Sequence, residues 1–150
     1  MASLLIKKAS IASEDNDELL LADVLVENGI ITKIGNDIEA ESATRVIDGS
    51  GKILSPAMFD THIHMREPGQ EAKETIKSGT EAAINGGITG VVLMPNTSPA
   101  IDSAAMVRTI YDIAERDARI PVYTSGCITK GREGKELAGI DGMIQLGVKM

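Results

Sequence analysis

Over the first 50 or so residues, apolar runs are short and are broken by turn residues every few positions. LLIKKASI (4–11) is followed by the polar stretch EDND (14–17). LLLADVLVENGIITKIG (19–35) comes next, with Asn28-Gly29 dividing it into two apolar runs. An Asn-Gly pair in that place signals a two-residue β-hairpin, because both central residues of such a turn take positive φ. RVIDGSGKILSP (45–56) carries a second turn signal at Asp48-Gly49, and Ser55-Pro56 closes the region. Residues 1–55 therefore predict a small β unit.

From residue 56 the period changes. AMFDTHIHM (57–65), ITGVVLMP (88–95) and IPVYTSGCI (120–128) are strand-like, and GVKM (147–150) opens a fourth run of the same kind. Between them lie ETIKSGTEAAINGG, SAAMVRTIYDIAERD and GKELAGIDGMIQL, each predicting a helix. In the second, Val107, Ile110, Tyr111 and Ala114 form an i, i+3, i+4, i+7 stripe, with Asp102 or Ser103 available as N-cap. Gly86-Gly87 reads as the end of the first. Strand starts fall near 57, 89, 121 and 147, a repeat close to the roughly 31 residues of one unit in a (β/α)8 barrel of about 250 residues. Alternating β and α also suits a doubly wound sheet, and periodicity does not choose between them. If residues 56–150 belong to a barrel, they supply its first three units and the opening of a fourth, so the barrel is incomplete in this chain.

Composition narrows the class. Of 150 residues 43% are hydrophobic and only 2% aromatic, so the core must be aliphatic. Net charge is −7, which argues against nucleic acid and anionic membrane partners; a small anionic ligand would need specific local cations. No run approaches the roughly 18 apolar residues of a membrane span, and the start MASLLIKKAS lacks a signal-peptide core. The single cysteine, Cys127, has no CxxC partner and reads as a buried thiol of a reducing compartment. These features together predict a cytoplasmic location.

Both histidines of the chain stand in DTHIHMREPG (60–69). Positions i and i+2 of a strand face the same way, so His62 and His64 project together and could share one divalent metal. Asp60, on the same alternation, could orient a ligand histidine. H-x-H alone equally suits two ordinary hydrogen-bonding histidines. The placement at a strand's carboxyl end, with Arg66 and a Pro68-Gly69 turn directly after it, favours a metal site with a cation beside it.

DTHIHMREPG resembles the D-x-H-x-H-x-R-x-P-G signature of the dihydroorotases, a cyclic amidohydrolase branch of the amidohydrolase superfamily. LMPNTSPAID resembles that family's second block, TSGCITKGREGKELA the third-strand block of its type I members, and ILSPAMFD the segment joining a small β-sandwich to the barrel. The resemblance implies an α/β fold in which a (β/α)8 TIM-like barrel starts after an N-terminal β-sandwich segment. It implies zinc-dependent, reversible cyclisation of N-carbamoyl-L-aspartate to L-dihydroorotate in pyrimidine biosynthesis. By similarity His62 and His64 would bind metal, one or two Zn²⁺ ions in all, and His64, Arg66 and Asn96 would contact substrate, with Arg66 and Asn96 gripping its carboxylate. Without the resemblance, Asn96 reads as a turn residue of PNTSP. The proton-shuttling carboxylate and remaining metal ligands are expected beyond Met150, so no catalytic residue is assigned within the chain, and the 150 residues alone are expected to be inactive. Some relatives bridge two metals through a carbamylated lysine, but the type I likeness places an aspartate beyond Met150 in that role and leaves Lys149 out of the site. Arg66 sets the chain apart from hydantoinases, dihydropyrimidinases and allantoinases. A noncatalytic dihydroorotase-like assembly subunit is the remaining alternative, and homodimerisation or association with aspartate carbamoyltransferase stays open.

Overall fold

The computed structural model describes residues 3–13, 16–39, 41 and 44–148. The chain divides into two compact units, Met1–Pro56 and Ala57–Met150.

The first unit is a single mixed sheet. β1 (Ser3–Ser13) is central, β2 (Asn16–Glu27) lies antiparallel to it, and β3 (Ile30–Gly35) lies antiparallel to β2. β4 (Arg45–Asp48) and β5 (Ile53–Leu54) share the other edge of β1, both parallel to it. The β2–β3 turn is Asn28-Gly29 with φ of +52° and +80°, the left-handed pair that an Asn-Gly hairpin requires. EDND falls partly on Glu14 and Asp15, outside the described residues. Lys8 interrupts the β1–β2 register as a bulge with φ +57°. The bulge is held by Asp23, a buried carboxylate that accepts the backbone N–H of Lys8 (2.8 Å) and of Ile38 (3.0 Å). Among the described residues the five strands of this unit form one sheet. Leu20, Ile31 and Ile34 stay more than half exposed along an open groove of about 750 Å³.

The second unit is a three-stranded parallel sheet, ordered β6 (Met58–Ile63), β7 (Ile88–Leu93), β8 (Val122–Thr124). Its crossovers carry α1 (Ile76–Asn85) and α2 (Ala104–Asp117). Thr75 and Ser78 form a reciprocal capping box on α1, and Ser103 caps α2 through its hydroxyl. Val107 and Ile110 of the α2 stripe are fully buried, while Tyr111 and Ala114 pack at the edge of the same core with Ile76, Val91, Leu93 and Ile101. Thr80 of α1 is wholly buried. Its hydroxyl donates to the Ile76 carbonyl (2.7 Å) and accepts the N–H of Arg119 (3.1 Å), tying α1 to the segment before β8. No helix among the described residues is long and apolar enough to cross a membrane.

One predicted helix is mostly absent. The sequence pattern puts helix over 134–146, whereas α3 spans only Ile140–Gln145. Upstream, the chain forms a 3₁₀ turn at Lys130–Arg132 and an antiparallel bridge between Thr129 and Leu137. Gly134 sits at φ +74°, and the N–H groups of Lys130 and Ala138 go to the carbonyls of Glu136 and Ile128. These loop bonds take up backbone groups that a helix would have used. The fourth strand expected from 147 falls partly on residues 149 and 150, which lie outside the described residues.

Candidate metal and anion site

The site is assembled at the carboxyl ends of β6 and β7. Ile63 packs on the core and Met65 is buried, with its thioether against Gly79 of α1. Between and around these anchors, His62 and His64 are left exposed and Arg66 half-buried. Apolar residues pulled into the core at 63 and 65 thereby turn 62 and 64 outwards together.

The two imidazoles converge. Their Nε2 atoms lie 3.2 Å apart, with ring centroids at 5.0 Å and planes inclined by 64°. Two nitrogens bound at about 2.0–2.1 Å to one tetrahedral zinc would be about 3.3–3.4 Å apart. The pair therefore fits as two ligands of a single ion, and imidazole nitrogen suits Zn²⁺. Among the described residues no cluster of three or more His, Cys, Asp or Glu could hold a metal.

Partners of the pair differ from the expectation at one position. Asp60 was a candidate to orient a histidine ring, yet its Oδ1 accepts the backbone N–H of His62 at 3.0 Å. The ring partner is instead Asn96, whose Oδ1 lies 2.9 Å from His64 Nδ1. Asn96 follows β7 and stands 32 residues from His64, and spacing carries no signal for such a meeting. Among the described residues no hydrogen bond or ion pair engages the Arg66 guanidinium. The structure thus brings His62, His64 and Asn96 together, with Arg66 on the loop that His64 opens after β6. Lys149, left out of the site on sequence grounds, lies outside the described residues.

Backbone ties fix how the loops after β6 and β7 sit against each other. The Ser98 N–H donates to the Pro68 carbonyl at 3.1 Å. Gly69 has φ +100°, and a Cβ there would fall 1.9 Å from the Ser98 carbonyl oxygen, so only glycine fits. Glu67 sends a carboxylate oxygen to the N–H of Ile76 (2.8 Å), fastening the same loop to the first turn of α1. Pro68-Gly69 is legible as a turn, whereas the only local sign of the Glu67 contact is a carboxylate upstream of a helix start. Thr97 is buried, its hydroxyl donating to the Pro99 carbonyl (2.7 Å). Cys127 is buried under the β7 loop with its Sγ 3.5 Å from the Pro95 carbonyl, and burial pushes its thiol above the ordinary range.

Residues 51–148 match the family described as dihydro-orotase-like. The chain belongs to that family. A dihydroorotase of Elusimicrobium minutum is 45% identical over 143 residues, which are 95% of this chain and 33% of that protein. One of a Sulfurihydrogenibium species is 46% identical over 134 residues, 89% of this chain and 32% of its own. The chain thus spans about a third of the length of these curated relatives. Among solved structures, the L-hydantoinase (dihydropyrimidinase) of Arthrobacter aurescens superposes with TM-score 0.79 at 25% identity, covering 99% of this chain and 32% of its own. The D-hydantoinase (dihydropyrimidinase) of a Thermus species follows at 0.73 and 29%, over 95% of this chain and 30% of that one.

Proposed function

We propose that this chain serves dihydroorotase activity, the reversible closure of N-carbamoyl-L-aspartate to L-dihydroorotate, and that residues 56–150 are the opening units of a (β/α)8 barrel preceded by the β segment of residues 1–55. The observation that carries the reading is the convergence of His62, near the end of β6, and His64, just after it, with Nε2 atoms 3.2 Å apart and Arg66 two residues further on. Parallel strands joined by helices, with these groups at their carboxyl ends, are the arrangement of a barrel active site. The names of the relatives at 45% and 46% identity point the same way.

In this reading His62 and His64 would hold Zn²⁺, which when bound would supply Lewis acidity towards an amide carbonyl and a water molecule. Arg66 presents a planar pair of N–H donors to the substrate carboxylate, and Asn96 adds a neutral N–H. The net charge of −7 makes such a local cation necessary for an anionic substrate. His64 also borders the substrate, through its place between His62 and Asn96.

Arg66 decides between dihydroorotate and an uncharged cyclic amide. In the complete enzyme, Arg66→Met is expected to lower kcat/KM for dihydroorotate by roughly 30-fold or more, the effect of losing about 2–5 kcal/mol from a desolvated charge pair. Hydantoin hydrolysis should change little. Equal losses on the two substrates would refute the assignment and favour a hydantoinase.

A further inference from the structure

His64 needs more than proximity to serve as a ligand. A neutral imidazole carries one proton, and only the ring nitrogen without it can bind a metal. Nε2 is the atom that faces His62, so the proton must sit on Nδ1, and something must hold it there. Asp60, the acidic neighbour in sequence, accepts the His62 backbone N–H through Oδ1, and no hydrogen bond among the described residues joins it to His64. The group at His64 Nδ1 is the Asn96 side-chain oxygen, at 2.9 Å.

We propose that Asn96 is a positioning residue for the metal, acting through His64: its Oδ1 accepts the Nδ1 proton, which turns the Nε2 lone pair towards the ion. This deepens the reading of His62 and His64 as ligands and rests on it. The orientation of the amide couples two tasks. With Oδ1 on the histidine, Nδ2 is left to donate to an anionic substrate. With the amide reversed, Nδ2 would donate to Nδ1, the ring proton would move to Nε2, and an oxygen would face the substrate carboxylate. One rotamer of one side chain thus serves ligand tautomer and anion recognition together, and the reverse rotamer serves neither.

Zinc affinity of the full chain, measured by competition with a chelating dye, separates the tasks. Asn96→Ala should weaken zinc binding by about 10–100-fold, the range for losing a histidine-orienting partner. Asn96→Asp should stay within a few-fold of the parent, because a carboxylate accepts the same proton, although it donates nothing to an anion. His62→Ala is the control for the ligand pair: if it leaves affinity unchanged, the metal reading fails and this inference with it. If His62→Ala weakens binding while Asn96→Ala does not, or Asn96→Asp loses as much as Asn96→Ala, the role of Asn96 alone is overturned. A measurement on the unaltered, metal-free chain guards against misfolded variants. Nitrogen-15 spectra of its neutral histidines should show His64 with a protonated Nδ1 and a bare Nε2, and the opposite tautomer would overturn the proposal.

Discussion

Replacing Gly69 by alanine is the most direct probe of how the site is built. Two separable penalties follow from the structure. The residue sits at φ +100°, where an L side chain costs about 1–2 kcal/mol. Its Cβ would also meet the Ser98 carbonyl oxygen at 1.9 Å and the Ser98 carbonyl carbon at 2.8 Å. Those are backbone atoms of a segment bonded back to Pro68, so they cannot swing aside as a side chain would; overpacking of this kind adds about 1–3 kcal/mol. The sum, about 2–5 kcal/mol, is a large part of the roughly 5–15 kcal/mol that holds a domain together. With a urea slope of about 2 kcal/mol per molar, the midpoint of unfolding should drop by roughly 1–2.5 M. Far-UV circular dichroism of the full chain in urea measures this. Gly87→Ala is the internal standard. It has φ +84°, but its Cβ would meet only the Met58 methyl at 4.0 Å, so it carries the dihedral penalty without the collision. A Gly69→Ala midpoint no lower than that of Gly87→Ala would refute the claim that Ser98 is what forbids a side chain.

Other outcomes follow from single groups. Thr80→Val leaves the Arg119 N–H without its acceptor and should destabilise the chain by about 1–3 kcal/mol, with Thr80→Ser recovering most of the loss in the same urea assay. The Lys8 N–H, acting against burial and joined by the Ile38 N–H and the Lys7 ammonium, holds the Asp23 carboxyl below its ordinary range. Its folded-state value is thus lower than the unfolded value of about 3.9, so its contribution is complete above that pH and is lost as pH falls through the folded value. The urea midpoint should therefore fall more between about pH 6 and about pH 3 for the parent than for Asp23→Asn, and equal falls would remove Asp23 from the account. Cys127, buried and with its thiol pushed up, should react with an aromatic disulfide reagent far more slowly in native buffer than in concentrated urea; similar rates would show the thiol to be accessible.

What could be read in advance was whatever is encoded within a few residues. Asn28-Gly29 spells a left-handed turn by its own chemistry, and the α2 stripe spells a buried face by its own spacing. The facing of His62 and His64 follows from strand alternation. The third helix failed because its stretch is governed from a distance. The Asp102 carboxylate accepts the Gly131 N–H at 2.8 Å, and the Ala138 N–H goes to Ile128, so tertiary bonds outcompeted a periodicity that was local only. The same limit applied within the site. Asn96 was assigned to the substrate, but its hold on His64 needs β6 and β7 placed side by side. The requirement for glycine at 69 depends on residue 98 in the same way.

The division between backbone and side chain also decides which variants are informative. Pro68 and Ser98, the residues tied to each other, each stand two positions from a proposed anion-binding residue, Arg66 and Asn96. The relative placement of those two residues is therefore set mainly by main-chain groups and a glycine, and little of it depends on the guanidinium or the amide. Truncating Arg66 or Asn96 should leave the loops where they are, so losses there report on binding chemistry. Changes at Gly69 move the loops themselves and should disturb metal affinity, anion recognition and stability together. If Asn96→Ala lowered the urea midpoint as far as Gly69→Ala does, this separation would be wrong, and the amide on His64 would have to be counted among the bonds that hold the two loops together.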